Sequence, residues 1–206
     1  MNRIAPRLAA AFLALATIAV TTIAVPSVAS AHPGHEGAGF VHGLMHPLGG
    51  LDHILAMVAV GLFAARLGGR ALWLVPASFV TAMALAGAIG MAGFALPHVE
   101  AGIALSILVL GGAIAFETTM PVAAAMALVA FFAVFHGYAH GAEMPETMSG
   151  LAYGGGFLAA TAALHVAGIG LGLLIGRGGA LVSRRILQVG GGVAALTGAA
   201  LLAGAM

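Results

Sequence analysis

The sequence predicts an all-α protein, a polytopic membrane helix bundle with six transmembrane helices behind a cleavable N-terminal signal peptide. Three observations carry this prediction. Of 206 residues, 62% are hydrophobic and only 6% are charged, whereas a soluble domain has about 25% charged residues. Beyond residue 31, six apolar stretches follow one another, each near the length of about 20 residues that a helix needs to cross the hydrocarbon core. Glycine recurs in clusters such as "YGGGFLAA", "GIGLGLLIG" and "GGGVAALTGAA", and in lipid small residues let helix backbones approach closely.

The elements follow in order. Arg3 and Arg7 open the chain, "LAAAFLALATIAV" supplies a short apolar core, and Ala29-Ser30-Ala31 is an A-x-A cleavage site, which together make residues 1–31 a secretory signal. An uncleaved first helix is the other reading. Residues 32–206 then form a single six-helix transmembrane domain, opening at His32 with the polar stretch "HPGHEGAGFVHG", read as an outer tail. Its His32, His35 and Glu36 either gather a cation or do nothing. The spans lie near 47–65, 71–93, 99–117, 121–140, 151–175 and 186–205, separated by "RLGGR", "ALPH", "ETTMP", "GAEMPETMSG" and "RGGALVSRR", which carry turn chemistry. Pro47, Gly49 and Gly50 interrupt the start of the first span beside ionisable residues, as broken helices do at transporter sites.

Orientation follows from arginine. Arg66 and Arg70 stand in the first loop and Arg177, Arg184 and Arg185 in the fifth, so both loops face the cytoplasm and the mature N- and C-termini face outward. The outer side then holds His32, His35, Glu36, His98, Glu100, Glu143 and Glu146. An acidic, histidine-rich surface faces out and an arginine-lined one faces in.

The nine histidines outnumber either charge class, and there is neither cysteine nor lysine. A net charge of +1 gives no sign of a nucleic-acid partner. No G-x-S-x-G, P-loop or dinucleotide fingerprint is present, so hydrolase and nucleotide-dependent readings have no support. Metal chemistry, if any, uses imidazole, carboxylate, backbone or thioether. His136, His140 and Glu143 are spaced by four and three, which puts them on one helical face as a ligand-competent stripe. Asp52 and His53 lie about two turns below the outer surface, at a depth comparable with that stripe. Being adjacent, they point about 100° apart, one toward the path and the other toward a neighbouring helix; His53 is the expected path residue. Ionisable groups inside lipid cost a few kcal/mol or more each and mark function. His165 lies deeper in the fifth span, where a ligand and an interhelical hydrogen-bonder are equally good readings.

The chain resembles the HupE/UreJ family of nickel and cobalt permeases. "HPLGGLDH" from His46 to His53, "FHGYAHGAE" from Phe135 to Glu143 and "GFLAATAALH" ending at His165 are similar to three family motifs in order. The resemblance implies import of nickel, or cobalt, across the bacterial inner membrane for hydrogenase or urease maturation. It implies a transporter rather than an enzyme, without an ATPase subunit and with no permanently bound cofactor, the partners being the metal substrate and the lipid bilayer. On the same basis His46, Asp52, His53, His136, His140 and Glu143 take metal-handling roles, with His165 as a further member. Two rivals come from other classes. A di-metal membrane enzyme would use the H-x-x-x-H pairs His42/His46 and His136/His140, although such sites face the cytoplasm. A haem carrier would use two histidines on separate helices, His53 and His165 for example.

Overall fold

The computed structural model describes residues 36–144 and 149–205. The signal peptide expected over 1–31, and His32 and His35, lie outside the described residues. All regular structure among the described residues is helical. It comprises α1 (Glu36–Met45), a 3₁₀ turn (His46–Leu48), α2 (Leu51–Leu67), α3 (Ala71–Met91), α4 (Val99–Ala115), α5 (Val122–Ala142), α6 (Gly150–Gly176) and α7 (Ala180–Ala205).

The helices α3, α5, α6 and α7 are each long and apolar enough to cross a membrane, and α1 with the 3₁₀ turn and α2 together make a fifth candidate, bent by 81°. This is a multi-pass membrane protein whose first helices are bent sharply against each other. The bend follows from the sequence between His46 and Gly50. Pro47 supports a 3₁₀ turn, and Gly50 adopts an extended conformation as the N-cap of α2. Over the expected third span, α4 is an apolar helix of only 17 residues, which rise about 25 Å at 1.5 Å per residue. It is heavily buried along its length, packed against α2, α5 and α7.

One expectation is corrected here. Residues from Glu36 to His42 belong to a helix rather than a polar tail, because Gly43 on α1 and Gly156 on α6 each present bare backbone to the other helix. A Cβ on Gly43 would meet the Tyr153 carbonyl, and one on Gly156 the Phe40 carbonyl.

The same device joins the other closely packed pairs. On α5, Gly137 and Gly141 lie against the backbone of Met83 and Gly87 on α3; on α2 and α6, Gly61 and Gly168 face His165 and Val58. Between α4 and α7, a Cβ on Gly111 would stand 2.5 Å from Ala195 N and one on Gly191 2.6 Å from Ala115 N. Without a hydrophobic drive between helices in lipid, such close approach lets dispersion and weak polar contacts hold the bundle. The interior is filled by Met57, Val60, Phe63, Val75, Phe79, Met83, Ile107 and Leu110. Two histidines, His136 and His165, rank among the largest fully buried side chains.

At the end of α2 away from the histidines, Arg66 donates from Nη2 to the Glu117 carbonyl at 2.6 Å. Arg184 Nε reaches Glu117 Oε1 at 3.2 Å. Three elements are thereby clasped at the arginine-bearing end.

Candidate metal centre

Four imidazoles form a row. His46 lies on the 3₁₀ turn, His53 in the first turn of α2, and His136 and His140 near the end of α5. Ring centroids step from His46 to His140 at 4.8 Å, from His140 to His53 at 4.3 Å and from His53 to His136 at 5.0 Å. Three helical segments contribute to this row, and the bend between α1 and α2 lets two of its histidines come from neighbouring stretches of sequence. Had the first span been one straight helix, His46 and His53 would stand about 10 Å apart along its axis.

The outer end of the row is a ligand set. One atom each from His46, His140 and Glu143 lies within 4.8 Å of the others, and burial grades from half-buried His46 and buried His140 to exposed Glu143. His46 Nε2 stands 3.2 Å from Glu143 Oε2. Two imidazoles and a carboxylate suit a borderline divalent transition metal, and the exposed carboxylate makes the set reachable from solvent. His140 is 3% exposed, and neither of its ring nitrogens has a partner among the described residues. An unsatisfied buried polar atom costs about 1–3 kcal/mol, so this ring stands ready for a ligand. Its edges are walled by Phe157, with ring centroids 4.0 Å apart.

The Asp52–His53 pair differs from the sequence expectation. The two side chains do not part by 100°: Asp52 Oδ1 accepts from His53 N at 2.8 Å and lies 3.0 Å from His53 Nδ1. In a helical first turn the free backbone N–H groups draw a carboxylate back. Gly50 makes room for the fold-back, since a Cβ there would stand 2.6 Å from Asp52 Oδ1. With Nδ1–H held by the carboxylate, Nε2 of His53 is buried without a partner among the described residues. Nor are two further turns of the same helix outward of this pair; α1 and the 3₁₀ turn lie there instead. Asp52 also lines a cavity of about 60 Å³ with Glu100, a residue that the sequence places on the acidic outer side.

The stripe His136, His140 and Glu143 is divided between two levels. His140 and Glu143 join His46 at the outer end, whereas His136 sits one turn further in, fully buried. Its Nε2 is 3.0 Å from Ser106 Oγ on α4, a residue that sequence reasoning passed over because a lone serine in an apolar span reads as packing. Tyr153 was also passed over; its ring centroid is 5.9 Å from that of His46, and its hydroxyl is buried without a partner among the described residues. His165 is set apart. Its ring packs edge-on against Phe79 at 5.1 Å, and Phe79 in turn lies 5.7 Å from His136. Thus Phe79 flanks both histidines, and His165 does not join the stacked row.

A bundle of apolar helices with a row of four imidazoles, the inner His136 and His140 buried, behind an exposed carboxylate defines a multi-pass membrane protein with a candidate site for a divalent metal. The sequence profile described as "HupE / UreJ protein" matches residues 18–201, and the chain belongs to that family. It is also 51% identical over 178 residues to "Protein HupE" from Rhizobium leguminosarum bv. viciae, covering 86% of this chain and 91% of the relative. No solved structure matches.

Proposed function

We propose that the protein is a secondary permease that imports a divalent transition metal, nickel first and cobalt as its nearest competitor, across the bacterial inner membrane to supply hydrogenase or urease maturation. The observation that carries this reading is the joining of a set that ends in an exposed carboxylate, His46, His140 and Glu143, to the half-buried His53 and the buried His136. An enzyme holds its metal; a row in which His140 belongs to both the outer set and the inner run gives an ion somewhere to go. Membership of the HupE/UreJ family and the likeness to Protein HupE support it.

In this reading residues 32–206 form one domain of six spans, the bent pair and the short α4 each counting as one. The termini of the mature chain face the periplasm and the Arg66–Glu117–Arg184 clasp faces the cytoplasm. A hydrated ion exchanges water for Glu143, His46 and His140, then passes to His53 Nε2 and His136, while Asp52 fixes the His53 tautomer and raises its basicity. The metal is cargo, no cofactor is resident, and no ATPase subunit takes part. Membrane potential favours inward movement by about 2.3 kcal/mol per charge per 100 mV.

The test is uptake of radioactive nickel by cells expressing the full chain, with unlabelled cobalt, copper and zinc as competitors. Nickel accumulation above the vector control, suppressed most strongly by cobalt, is expected. Accumulation equal to the control sinks the proposal.

A further inference from the structure

We propose that Ser106 is a positioning residue for the metal path: its hydroxyl holds His136 as the Nε2–H tautomer, so that Nδ1 is the atom this imidazole offers to the ion. The proposal rests on the permease reading above. It is carried by the allocation of one proton. Ser106 is fully buried on α4, and its Oγ lies 2.6 Å from the Ile103 carbonyl one turn back. A carbonyl has no proton to give, so the single hydroxyl hydrogen of Ser106 is committed to that bond. Across the α4–α5 interface, Oγ is 3.0 Å from His136 Nε2. With the serine proton used, the imidazole is the donor in this second bond. Neutral imidazole carries one N–H, and Nδ1 is therefore a bare lone pair. That atom is buried without a partner among the described residues.

The neighbouring ring has the opposite arrangement. His53 gives its Nδ1–H to the Asp52 carboxylate and keeps Nε2 free. The two rings, 5.0 Å apart and nearly perpendicular, are thus oriented by different partners and offer different atoms. A carboxylate partner strengthens an imidazole donor, whereas a neutral hydroxyl does so far less. The inner ring is the weaker ligand of the two, which suits a position the ion must leave.

The test uses the full chain in detergent micelles, metal-free and labelled with ¹⁵N at histidine, at a pH of about 8 where free imidazole is neutral. Two-bond proton–nitrogen correlation reads the tautomer of each ring, and His136→Gln assigns the His136 signals. The parent is expected to show a protonated Nε2 and a bare Nδ1. Ser106→Ala should mix or invert the tautomers, while Ser106→Thr, which keeps the hydroxyl, should retain them. Nickel uptake should fall about 10–100-fold in Ser106→Ala, the range for lost outer-shell partners, and recover in Ser106→Thr. A parent with Nδ1–H, or a Ser106→Ala variant whose His136 tautomer is unchanged, overturns the proposal. Should Ser106→Ala fail to fold, the parent spectrum decides. A parent that imports no metal overturns the permease reading, while the tautomer comparison still tells whether Ser106 governs His136.

Discussion

His46 Nε2 and Glu143 Oε2 stand 3.2 Å apart although 97 residues separate them in sequence. The pair closes the exposed end of the imidazole row by linking the 3₁₀ turn between α1 and α2 to the end of α5. Glu143 is the exposed member of the set, and in the permease reading it supplies charge at the mouth. Glu143→Gln keeps the shape and hydrogen-bonding reach but removes the charge, so half-maximal nickel concentration should rise about tenfold or more, with protein level unchanged. Concentration-dependent initial uptake rates check this; equal half-saturation in variant and parent removes Glu143 from the site.

Asp52 and His53 act as a unit, since one carboxylate oxygen meets both the backbone and the ring of the next residue. His53→Ala deletes the central ring of the row, and Asp52→Asn leaves a ring free to take either tautomer. Uptake should nearly vanish in the first and fall about 10–100-fold in the second, while immunoblots of membranes show normal insertion. Gly50→Ala should resemble Asp52→Asn, because its Cβ would displace the folded-back carboxylate. Parent-like transport in all three variants would assign this turn a purely structural role.

The glycines give a prediction about stability rather than transport. Gly137 and Gly141 stand against α3 backbone, whereas Gly154, Gly170 and Gly192 have open space where a Cβ would be. Gly137→Ala and Gly141→Ala should therefore destabilise the bundle by about 1–3 kcal/mol through overpacking, while alanine at the three open positions should be near neutral. Denaturation midpoints in mixed micelles separate the groups. Equal midpoints across both would show that the close helix approach contributes nothing.

Much of this architecture is legible in the sequence because lipid imposes length and composition on each span. The helix bounds fall within a few residues of the apolar stretches for α3 to α6, and Pro47-Leu48-Gly49-Gly50 marks the break. Helix α1 is not legible in the same way: Gly39 and Gly43 look like loop residues until their packing against α6 is known. The site is half legible. Spacing brings His136, His140 and Glu143 to one face but cannot tell which partner each meets across the bundle. Proximity of His46 to Glu143, and of Ser106 to His136, arises from tertiary packing over 97 and 30 residues. The Asp52–His53 contact escaped helical-wheel reasoning because a first-turn side chain can fold back onto unpaired N–H groups.

The arrangement of charge predicts orientation. All described arginines lie in the last turn of α2, in the α2–α3 loop, at the end of α6 bordering the α6–α7 loop, or in the first turns of α7, and Glu117 ties Arg66 to Arg184. Reporter fusions after Arg70 and after Arg185 should report cytoplasm, and a fusion near Glu146 the periplasm. An outward-facing Arg70 would reverse the path and place the His46–Glu143 set at the exit.

The outer set also fixes the sign of the pH response. Metal binds imidazole only through a deprotonated nitrogen, so protons compete with the ion at each ring. Lowering the outer pH from about 8 to about 5, across the range where free imidazole titrates, should reduce nickel uptake at subsaturating metal. Replacing His136 and His140 with glutamine removes two buried ligands of the row, which should lower affinity. Proton-driven import has the opposite sign, with rates rising as the outside is acidified. Initial rates at fixed free nickel and clamped membrane potential distinguish the two. A parent whose rates ignore pH at both saturating and subsaturating nickel would remove titrating histidines from the transport step.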